Sequence, residues 1–200
     1  MSAAMKRIMK LGVVLLAAGR SERFGSNKLL VNFGGRPLVC RALEAMRSVP
    51  AARFCVVTGS DEIAALVCAY GFDVIRNDLP QLGQSHSVRL GVQAMMDMDA
   101  VLLLVGDQPM LTGVSLFRLV QAFAESEKGI ACLRDATHMG NPAIFEAKYY
   151  SDLLALSGDR GAKGILRSHE QDLLVVDCMH PCELSDADTP QALAHIMQLQ

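Results

Sequence analysis

The 200-residue chain lacks an excess of either charge, a long hydrophobic run and any internal repeat. Lys and Arg number 19 against 21 Asp and Glu, which gives a net charge of −2. Nucleic-acid binding is therefore not expected, because it depends on a basic surface. The longest uncharged apolar run covers residues 11–19, far short of the roughly 20 residues that cross a bilayer, so no membrane partner is expected.

Linkers and low-complexity tracts are also missing. Apolar residues make up 51% of the chain and charged residues 20%, a balance that supports a buried core. We expect one domain over residues 1–200. Six cysteines lie mostly in apolar runs, as free thiols of a reducing cytoplasm do. The alternative to a cytoplasmic protein is one with a secretory signal, because Lys6, Arg7 and Lys10 precede an apolar run. Removal of such a signal would delete that run, which is the best strand candidate in the chain.

Short apolar runs alternate with longer segments of helical period, a pattern typical of βαβ units and a largely parallel sheet. The predicted strands are residues 11–17, 53–58, 72–75, 101–105, 129–133 and 173–176, and the predicted helices are 37–48, 61–70, 85–96, 113–126, 146–156, 161–168 and 190–199. Runs 11–17 and 101–105 are apolar on both faces, which favours the middle of a helix-covered sheet. Ligands of such sheets bind beyond the carboxyl ends of the strands, so the residues after Ala17 and Val105 are the informative ones.

The turn after the first predicted strand combines small residues with positive charge. It contains Ala17, Ala18, Gly19, Arg20, Arg23 and Lys28. Small residues let the backbone approach a ligand, successive N–H groups form an anion site, and the cations attract several phosphate charges. The spacing fits neither a P-loop nor a dinucleotide-binding turn. It indicates a triphosphate site, with an ordinary basic surface turn as the alternative.

Acidic residues follow the most apolar strand and precede the last helix. Asp107 is the second residue after the run 101–105, where it is a candidate Mg²⁺ ligand, because this cation takes carboxylate and phosphate oxygens together. A second ligand is expected from Asp188 or Asp186. Helix capping by Asp188 or Thr189, with Pro190 in the first turn, is expected as well and is compatible with metal binding.

The residue spacing supports neither an activated nucleophile nor a zinc site. No serine lies in a nucleophile elbow, and no histidine is spaced to pair with a nucleophile. Cys178, His180 and Cys182 form one cluster with no matching second pair, which favours a loop with free thiols over a zinc site.

Five motifs then occur in order over nearly the whole chain. They are Leu-Ala-Ala-Gly-x-Ser-x-Arg-Phe-Gly-x-x-Lys at 16–28, Gly-Asp-Gln-Pro at 106–109, Gly-Asn-Pro at 140–142, Gly-Asp-x-Gly-Ala-Lys at 158–163 and Asp-Thr-Pro at 188–190. Together they resemble the molybdenum cofactor nucleotidyltransferases, and most of all the cytidylyltransferase branch. The resemblance implies an α/β protein with the Rossmann-like, three-layer α/β/α nucleotidyltransferase fold, built on a mostly parallel mixed sheet.

The resemblance also implies a reaction, the Mg²⁺-dependent transfer of CMP from CTP to the phosphate of molybdopterin, with release of pyrophosphate. The implied nucleotide-binding residues are Leu16, Ala17, Ala18, Gly19, Arg20, Arg23, Lys28, Gly83, Ser87 and Asp107. Of these, Arg23, Lys28 and Asp107 would act in catalysis. Asp107 would bind the metal with Asp188, or with Asp186 as the fallback.

The C-terminal half of the domain is expected to bind the acceptor, with Asn141, Asp159, Arg160 and Lys163 as candidates. Segment 158–164 opens a helix, so a helix cap is the alternative there. The cytidylyl branch often has His in place of Asn141 and Arg in place of Lys163, and these departures put the acceptor in question.

Three alternatives to this reaction remain open. Ala18 stands where the guanylyltransferase branch typically has a second Gly, which favours CTP, but GTP is one alternative. A sugar or polyol phosphate acceptor is another. The third is a non-catalytic partner that delivers molybdenum cofactor to the apo-form of a molybdoenzyme.

Overall fold

The computed structural model describes residues 9–19, 24–25 and 27–199. Its strands are β1 Leu11–Leu16, β2 Asn32–Phe33, β3 Arg36–Pro37, β4 Arg53–Thr58, β5 Asp73–Arg76, β6 Ala100–Val105, β7 Ile130–Arg134, β8 Met139–Glu146 and β9 Leu173–Asp177. Its helices are α1 Val39–Arg47, α2 Asp61–Ala69, α3 Gln84–Gln93, α4 Gly113–Glu125, α5 Tyr150–Leu154, α6 Lys163–Ser168 and α7 Pro190–Met197.

Seven strands form one sheet in the order β5-β4-β1-β6-β8-β7-β9. All its neighbouring strands run parallel except β8, which is antiparallel to both β6 and β7. The predicted mostly parallel mixed sheet is therefore confirmed, and β1 and β6 lie at its centre as their two-sided apolar character predicts.

Two hydrophobic cores lie on opposite faces of the sheet. Val13 and Leu15 of β1 point into a core with α1, α2, α4 and α7. Val14 and Leu16 point into a second core with α3, α5 and α6. Because successive strand residues alternate between faces, this fully buried strand joins both cores, and the three-layer α/β/α arrangement follows.

Strand β8 was missed by the sequence analysis. It contains Pro142, which cannot donate to a ladder and argues against a central strand. The register with β7 shifts between Cys132 and Leu133, and pairing with β6 begins only at Ala143. The proline is therefore accommodated at the irregularity, where no ladder donor is needed.

The predicted helix 146–156 is wrong in length. Glu146 still belongs to β8, a 3₁₀ turn covers Ala147–Tyr149, and α5 spans only Tyr150–Leu154. The small antiparallel β2–β3 pair was not predicted. Among the described residues, no helix has the length and apolar character needed to span a membrane.

Candidate active site

A crevice of about 830 Å³ opens at the carboxyl ends of the central strands. Leu16 of β1 lies in register with Val105 of β6, and the Gly106 N–H donates to the Leu16 carbonyl at 3.1 Å. The chain segments that leave these two strands therefore start side by side. This is the position at which open α/β sheets bind ligands, as the sequence predicts.

Lys28 links two acidic residues at the floor of the crevice. Its Nζ lies 2.7 Å from Asp107 Oδ2 and 2.7 Å from Asp188 Oδ1. The side chain is 12% exposed. Burial alone would lower the pKa of Lys28, but the two carboxylates outweigh this effect and raise it, so the side chain is a cation at neutral pH.

A local turn fixes the start of the Lys28 side chain. Lys28–Leu30 form a 3₁₀ turn, and Asn27 Oδ1 accepts a hydrogen bond from the Leu29 N–H at 3.2 Å. Leu29 is buried and touches the Gly106 position, where an added Cβ would lie 3.2 Å from a Leu29 methyl group. The turn is therefore anchored against the end of β6, within reach of Asp107.

The two carboxylates that meet at Lys28 fit a divalent cation. Each oxygen lies 2.7 Å from one nitrogen atom, so their separation cannot exceed twice that distance. Mg²⁺ binds oxygen at about 2.1 Å, so a small approach would let both oxygens reach one ion once the ammonium moves away. Among the described residues, no three His, Cys, Asp or Glu side chains form a complete metal site. Phosphate oxygens and water would supply the other ligands, as is usual for Mg²⁺.

Asp186 takes a different position from Asp188. Its Oδ1 accepts a hydrogen bond from Gln108 Nε2 at 3.0 Å. Asp186 is exposed as a residue, but its carboxyl group is partly buried where it meets Gln108. This burial, followed by the negative charges of Asp107 and Asp188, raises the pKa of Asp186. Asp188 is thus the carboxylate that converges with Asp107, and Asp186 is the third acid beside them.

The small residues after β1 divide into two groups. Ala17 is buried behind the crevice, its N–H donates to the Val57 carbonyl at 2.8 Å, and its carbonyl accepts from Thr58 Oγ1 at 3.1 Å. Ala18 and Gly19 line the crevice, as does Leu16. A Cβ added at Gly19 would meet nothing within 4 Å. Ala18 and Gly19, but not Ala17, therefore face the space that a ligand would fill.

Gly83 and Ser87 line the crevice at the start of α3. Gly83 has φ +81, and a Cβ there would lie 2.5 Å from Asp159 Oδ1. Ser87 Oγ accepts a hydrogen bond from Asn77 Nδ2 at 2.9 Å. Glycine is thus required at position 83 by both its backbone conformation and its close neighbour.

Three of the four candidate acceptor residues line the same crevice. Asn141, Asp159 and Lys163 line it, whereas Arg160 is exposed and is not among the lining residues. The stem of Lys163 crosses Gly140, where an added Cβ would come within 2.8 Å of Lys163 Cε. Arg20 and Arg23 lie outside the described residues, so their predicted roles stay predictions.

Comparison with known proteins identifies the family. A model of the MobA-like NTP transferase domain matches residues 13–173. The chain belongs to the MobA-like NTP transferase family. It is therefore a nucleotidyltransferase enzyme, as the motifs predict.

Individual relatives of this transferase differ in what their names state. A probable molybdenum cofactor guanylyltransferase of Pyrococcus horikoshii is 28% identical over 156 residues, which is 78% of each chain. The bifunctional protein GlmU of Janthinobacterium sp. strain Marseille is 31% identical over 136 residues, covering 66% of this chain but 29% of GlmU. This chain thus matches less than a third of that relative.

The fold of the transferase also occurs in a Mycobacterium tuberculosis H37Rv protein that was solved in complex with manganese. The two chains superpose with a TM-score of 0.75 and 23% identity, over 94% of this chain and 98% of the other. Nucleotidyltransferases commonly use divalent metals, in agreement with the paired carboxylates described above.

Several lining residues of the transferase were missed by the sequence analysis, namely Gln84, Gln108, His138 and Met139. Gln108 directly follows Asp107 in the Gly-Asp-Gln-Pro motif, so its position offered a signal. His138 precedes the unpredicted strand β8 and Met139 is its first residue, so no signal placed them at the crevice. Residues 178–182 lie outside any helix or strand, after β9, so the predicted loop is confirmed.

Proposed function

We propose that this enzyme transfers CMP from CTP to the phosphate of a molybdopterin-type acceptor and releases pyrophosphate. One observation carries the proposal. Asp107, at the end of the central strand, and Asp188, before the last helix, converge on Lys28 from the turn after β1. Two carboxylates and one ammonium at a single point suit a metal-bound triphosphate, because the metal and the lysine neutralise phosphate charge together.

The reaction itself asks for no general base. An ionised oxygen of the acceptor phosphate forms a bond to the α-phosphorus of the nucleotide. The bond between that phosphorus and the oxygen leading to the β-phosphate breaks, and pyrophosphate leaves with its electron pair. The nucleophile is already an anion at neutral pH, which agrees with the lack of a nucleophile–histidine pair in the sequence.

The residues act by holding and orienting charge. Asp107 and Asp188 would hold Mg²⁺, which when bound neutralises charge on the phosphate oxygens. Lys28 would move from the carboxylates to the triphosphate, and Arg23 would bind it from the same turn. Ala18 and Gly19 would receive the nucleotide along their backbone, and Gly83 and Ser87, which also line the crevice, would contact it as well.

The acceptor would lie on the side of Asn141, Asp159 and Lys163. Lys163 is close enough to Asp186 for its charge to affect the pKa of that carboxyl group. A cation near Asp186, at the side of the proposed metal site, is suited to an incoming phosphate monoester. On this proposal the N-terminal half of one domain binds the nucleotide, and the C-terminal half binds the acceptor.

GTP is a second candidate nucleotide, because the Pyrococcus relative is named a guanylyltransferase. A sugar or polyol phosphate is the second candidate acceptor, because Asn141 and Lys163 depart from the residues that the cytidylyl branch often has. We favour CTP because Ala18, which faces the crevice, carries a methyl group where the guanylyl branch typically has Gly.

Pyrophosphate release tests the proposal directly. The purified protein is assayed with each of the four nucleoside triphosphates and Mg²⁺, against molybdopterin, sugar 1-phosphates and polyol phosphates. We expect release above background with CTP and molybdopterin alone. The Asp107→Asn variant, which keeps the side-chain shape but weakens metal binding, should lose this activity. Preferred use of GTP or of a sugar phosphate would replace the proposed substrate while keeping the chemistry.

A further inference from the structure

A buried carboxylate outside the crevice has no part in the proposed chemistry. Glu183 is 1% exposed and lies three residues before Asp186. Burying a carboxylate is costly unless hydrogen bonds compensate, so its hydrogen-bond partners show which chain segments it holds together. The structure shows which parts of the chain it joins.

Both oxygens of Glu183 accept hydrogen bonds. Oε2 accepts from the Thr112 N–H at 3.0 Å and from Thr112 Oγ1 at 2.9 Å. Oε1 accepts from Ser115 Oγ at 2.9 Å and from the His180 N–H at 3.0 Å. Thr112 caps α4, so the carboxylate also meets the positive end of that helix. Four donors therefore fix the side chain between two distant parts of the chain.

The first part is the segment that follows β6 and carries Asp107. It continues from Asp107 to Thr112 at the start of α4. The second is the segment of residues 178–189, which carries Asp186 and Asp188. Ser115 Oγ also accepts from the Met179 N–H at 3.0 Å, which adds a second link between α4 and this segment.

Further contacts tie residues 178–189 to the rest of the site. The Ala187 N–H donates to the Asp107 carbonyl at 2.8 Å. The Leu184 N–H donates to Asp135 Oδ2 at 3.0 Å, and the Leu184 carbonyl accepts from Gln108 Nε2 at 3.3 Å. Asp135 and Glu183 each accept four hydrogen bonds. Three of those to Asp135 come from the adjacent Thr137 and His138, whereas three of those to Glu183 come from Thr112 and Ser115 at the start of α4. The separation of the Asp107 and Asp188 carboxylates depends on the backbone that these contacts hold.

We propose that Glu183 is a positioning residue that sets residues 178–189 at the distance from Asp107 at which Asp107 and Asp188 share one metal ion. The inference rests on the proposed function, since it assigns the metal to these two carboxylates. Glu183 itself contacts neither the metal position nor the substrate. It acts through the backbone that leads to Asp188.

Manganese binding measures this role without an activity assay. Free Mn²⁺ is determined by electron paramagnetic resonance with saturating CTP and no acceptor. Glu183→Gln keeps the side-chain size but places an NH₂ group against N–H and O–H donors. We expect its Mn²⁺ affinity to fall at least about tenfold. Ser115→Ala removes one of the four donors and the link to Met179, and we expect a smaller loss of about threefold.

Asp172→Asn is the matched control, because it also converts a hydrogen-bonded carboxylate to an amide. Asp172 accepts hydrogen bonds from the Gly129 N–H and from Tyr149 Oη. It directly precedes β9 and so lies at the amino end of that strand, whereas the crevice lies at the carboxyl ends of the central strands. It should reduce stability and leave Mn²⁺ affinity unchanged. Amide hydrogen exchange of Ala187 in metal-free protein gives a second readout, which Glu183→Gln should accelerate and Asp172→Asn should not.

The outcomes separate the inference from the function it rests on. Wild-type protein that binds no Mn²⁺ with CTP overturns the proposed function and the positioning role with it. If wild type binds Mn²⁺ and both Glu183→Gln and Ser115→Ala bind it with unchanged affinity, only the role of Glu183 is overturned. The same holds if Asp172→Asn loses as much Mn²⁺ affinity as Glu183→Gln. If Glu183→Gln does not fold, Ser115→Ala decides in the same way.

Discussion

Lys28→Met should have opposite effects on the two ligands of the proposed site. The methionine keeps the length and apolar stem of the side chain and removes the charge. In the structure the Lys28 ammonium lies where the Asp107 and Asp188 oxygens converge. A divalent cation and this ammonium compete for the same oxygens, so the lysine should weaken metal binding when no nucleotide is present.

The size of the effect follows from the ion pair with Asp107, whose side chain is 22% exposed. Unit charges 2.7 Å apart attract by roughly 6 kcal/mol at an effective dielectric near 20. Desolvation cancels most of this attraction, leaving about 1–2 kcal/mol. Since about 1.4 kcal/mol corresponds to a tenfold change, Lys28→Met should bind free Mn²⁺ about tenfold more tightly than wild type.

Nucleotide binding and turnover should change in the opposite direction. On the proposed function, Lys28 contacts the triphosphate, so the variant should bind CTP more weakly. Turnover should fall more than about a hundredfold, as the loss of roughly 3 kcal/mol of transition-state stabilisation implies.

Electron paramagnetic resonance of Mn²⁺ without nucleotide is the deciding assay, and pyrophosphate release gives the turnover. Lys128→Met serves as the charge control, because its Nζ donates to the Gln171 carbonyl near the amino end of β9, away from the crevice. It should leave both quantities unchanged. Equal or weaker Mn²⁺ binding by Lys28→Met would refute the competition between the ammonium and the metal.

Three further measurements test other parts of the structure. Ala18→Gly should lower the ratio of CTP to GTP turnover, because a smaller residue lets the backbone move beside a purine; an unchanged ratio places base selection elsewhere. Burial alone would raise the pKa of Asp172, but hydrogen bonds from Lys148, Tyr149 and a backbone N–H lower it well below its usual value. At pH values above the unfolded carboxyl pKa near 4, Asp172→Asn should therefore lower the free energy of unfolding by about 2 kcal/mol. The difference between wild type and variant should shrink as the pH falls further. A difference that stays constant from pH 7 to 3 in urea denaturation contradicts this. Burial raises the pKa of Cys55 to about 12, whereas Cys68 is exposed; a thiol reagent at pH 8 should thus show a fast phase that Cys68→Ser removes and Cys55→Ser does not.

The parallel part of the fold could be predicted because its strands are continuous apolar runs. Strands β1 and β6 are buried on both faces, so their composition alone indicates the centre of a sheet. Strand β8 could not be predicted, because the signal for its position comes from its partners. Pro142 and the bulge opposite Cys132 hide an extended segment that tertiary pairing with β6 and β7 stabilises.

Part of the candidate site could also be predicted from the sequence, and part could not. Lys28, Asp107 and Asp188 could be named from motifs, since each follows or precedes an element with a clear boundary. That Asp188 rather than Asp186 meets Asp107 could not be derived, because the two acids are two residues apart and both precede α7. Which of the two acids meets Asp107 depends on Gln108, whose amide donates a hydrogen bond to Asp186. Such a contact has no sequence signature.

Metal binding would change the partners of three charged groups, the Asp107 and Asp188 carboxylates and the Lys28 ammonium. Asp107, Asp188 and Asp186 lie close enough to affect one another, as the raised pKa of Asp186 indicates. Lys28 supplies the positive charge that lets two of these carboxylates approach without a metal. Residues 28, 107 and 188 are distant in sequence, so no local rule keeps them together. Their arrangement depends on β1, β6 and the anchored residues 178–189, which is why a buried residue such as Glu183 can govern a metal that it never touches.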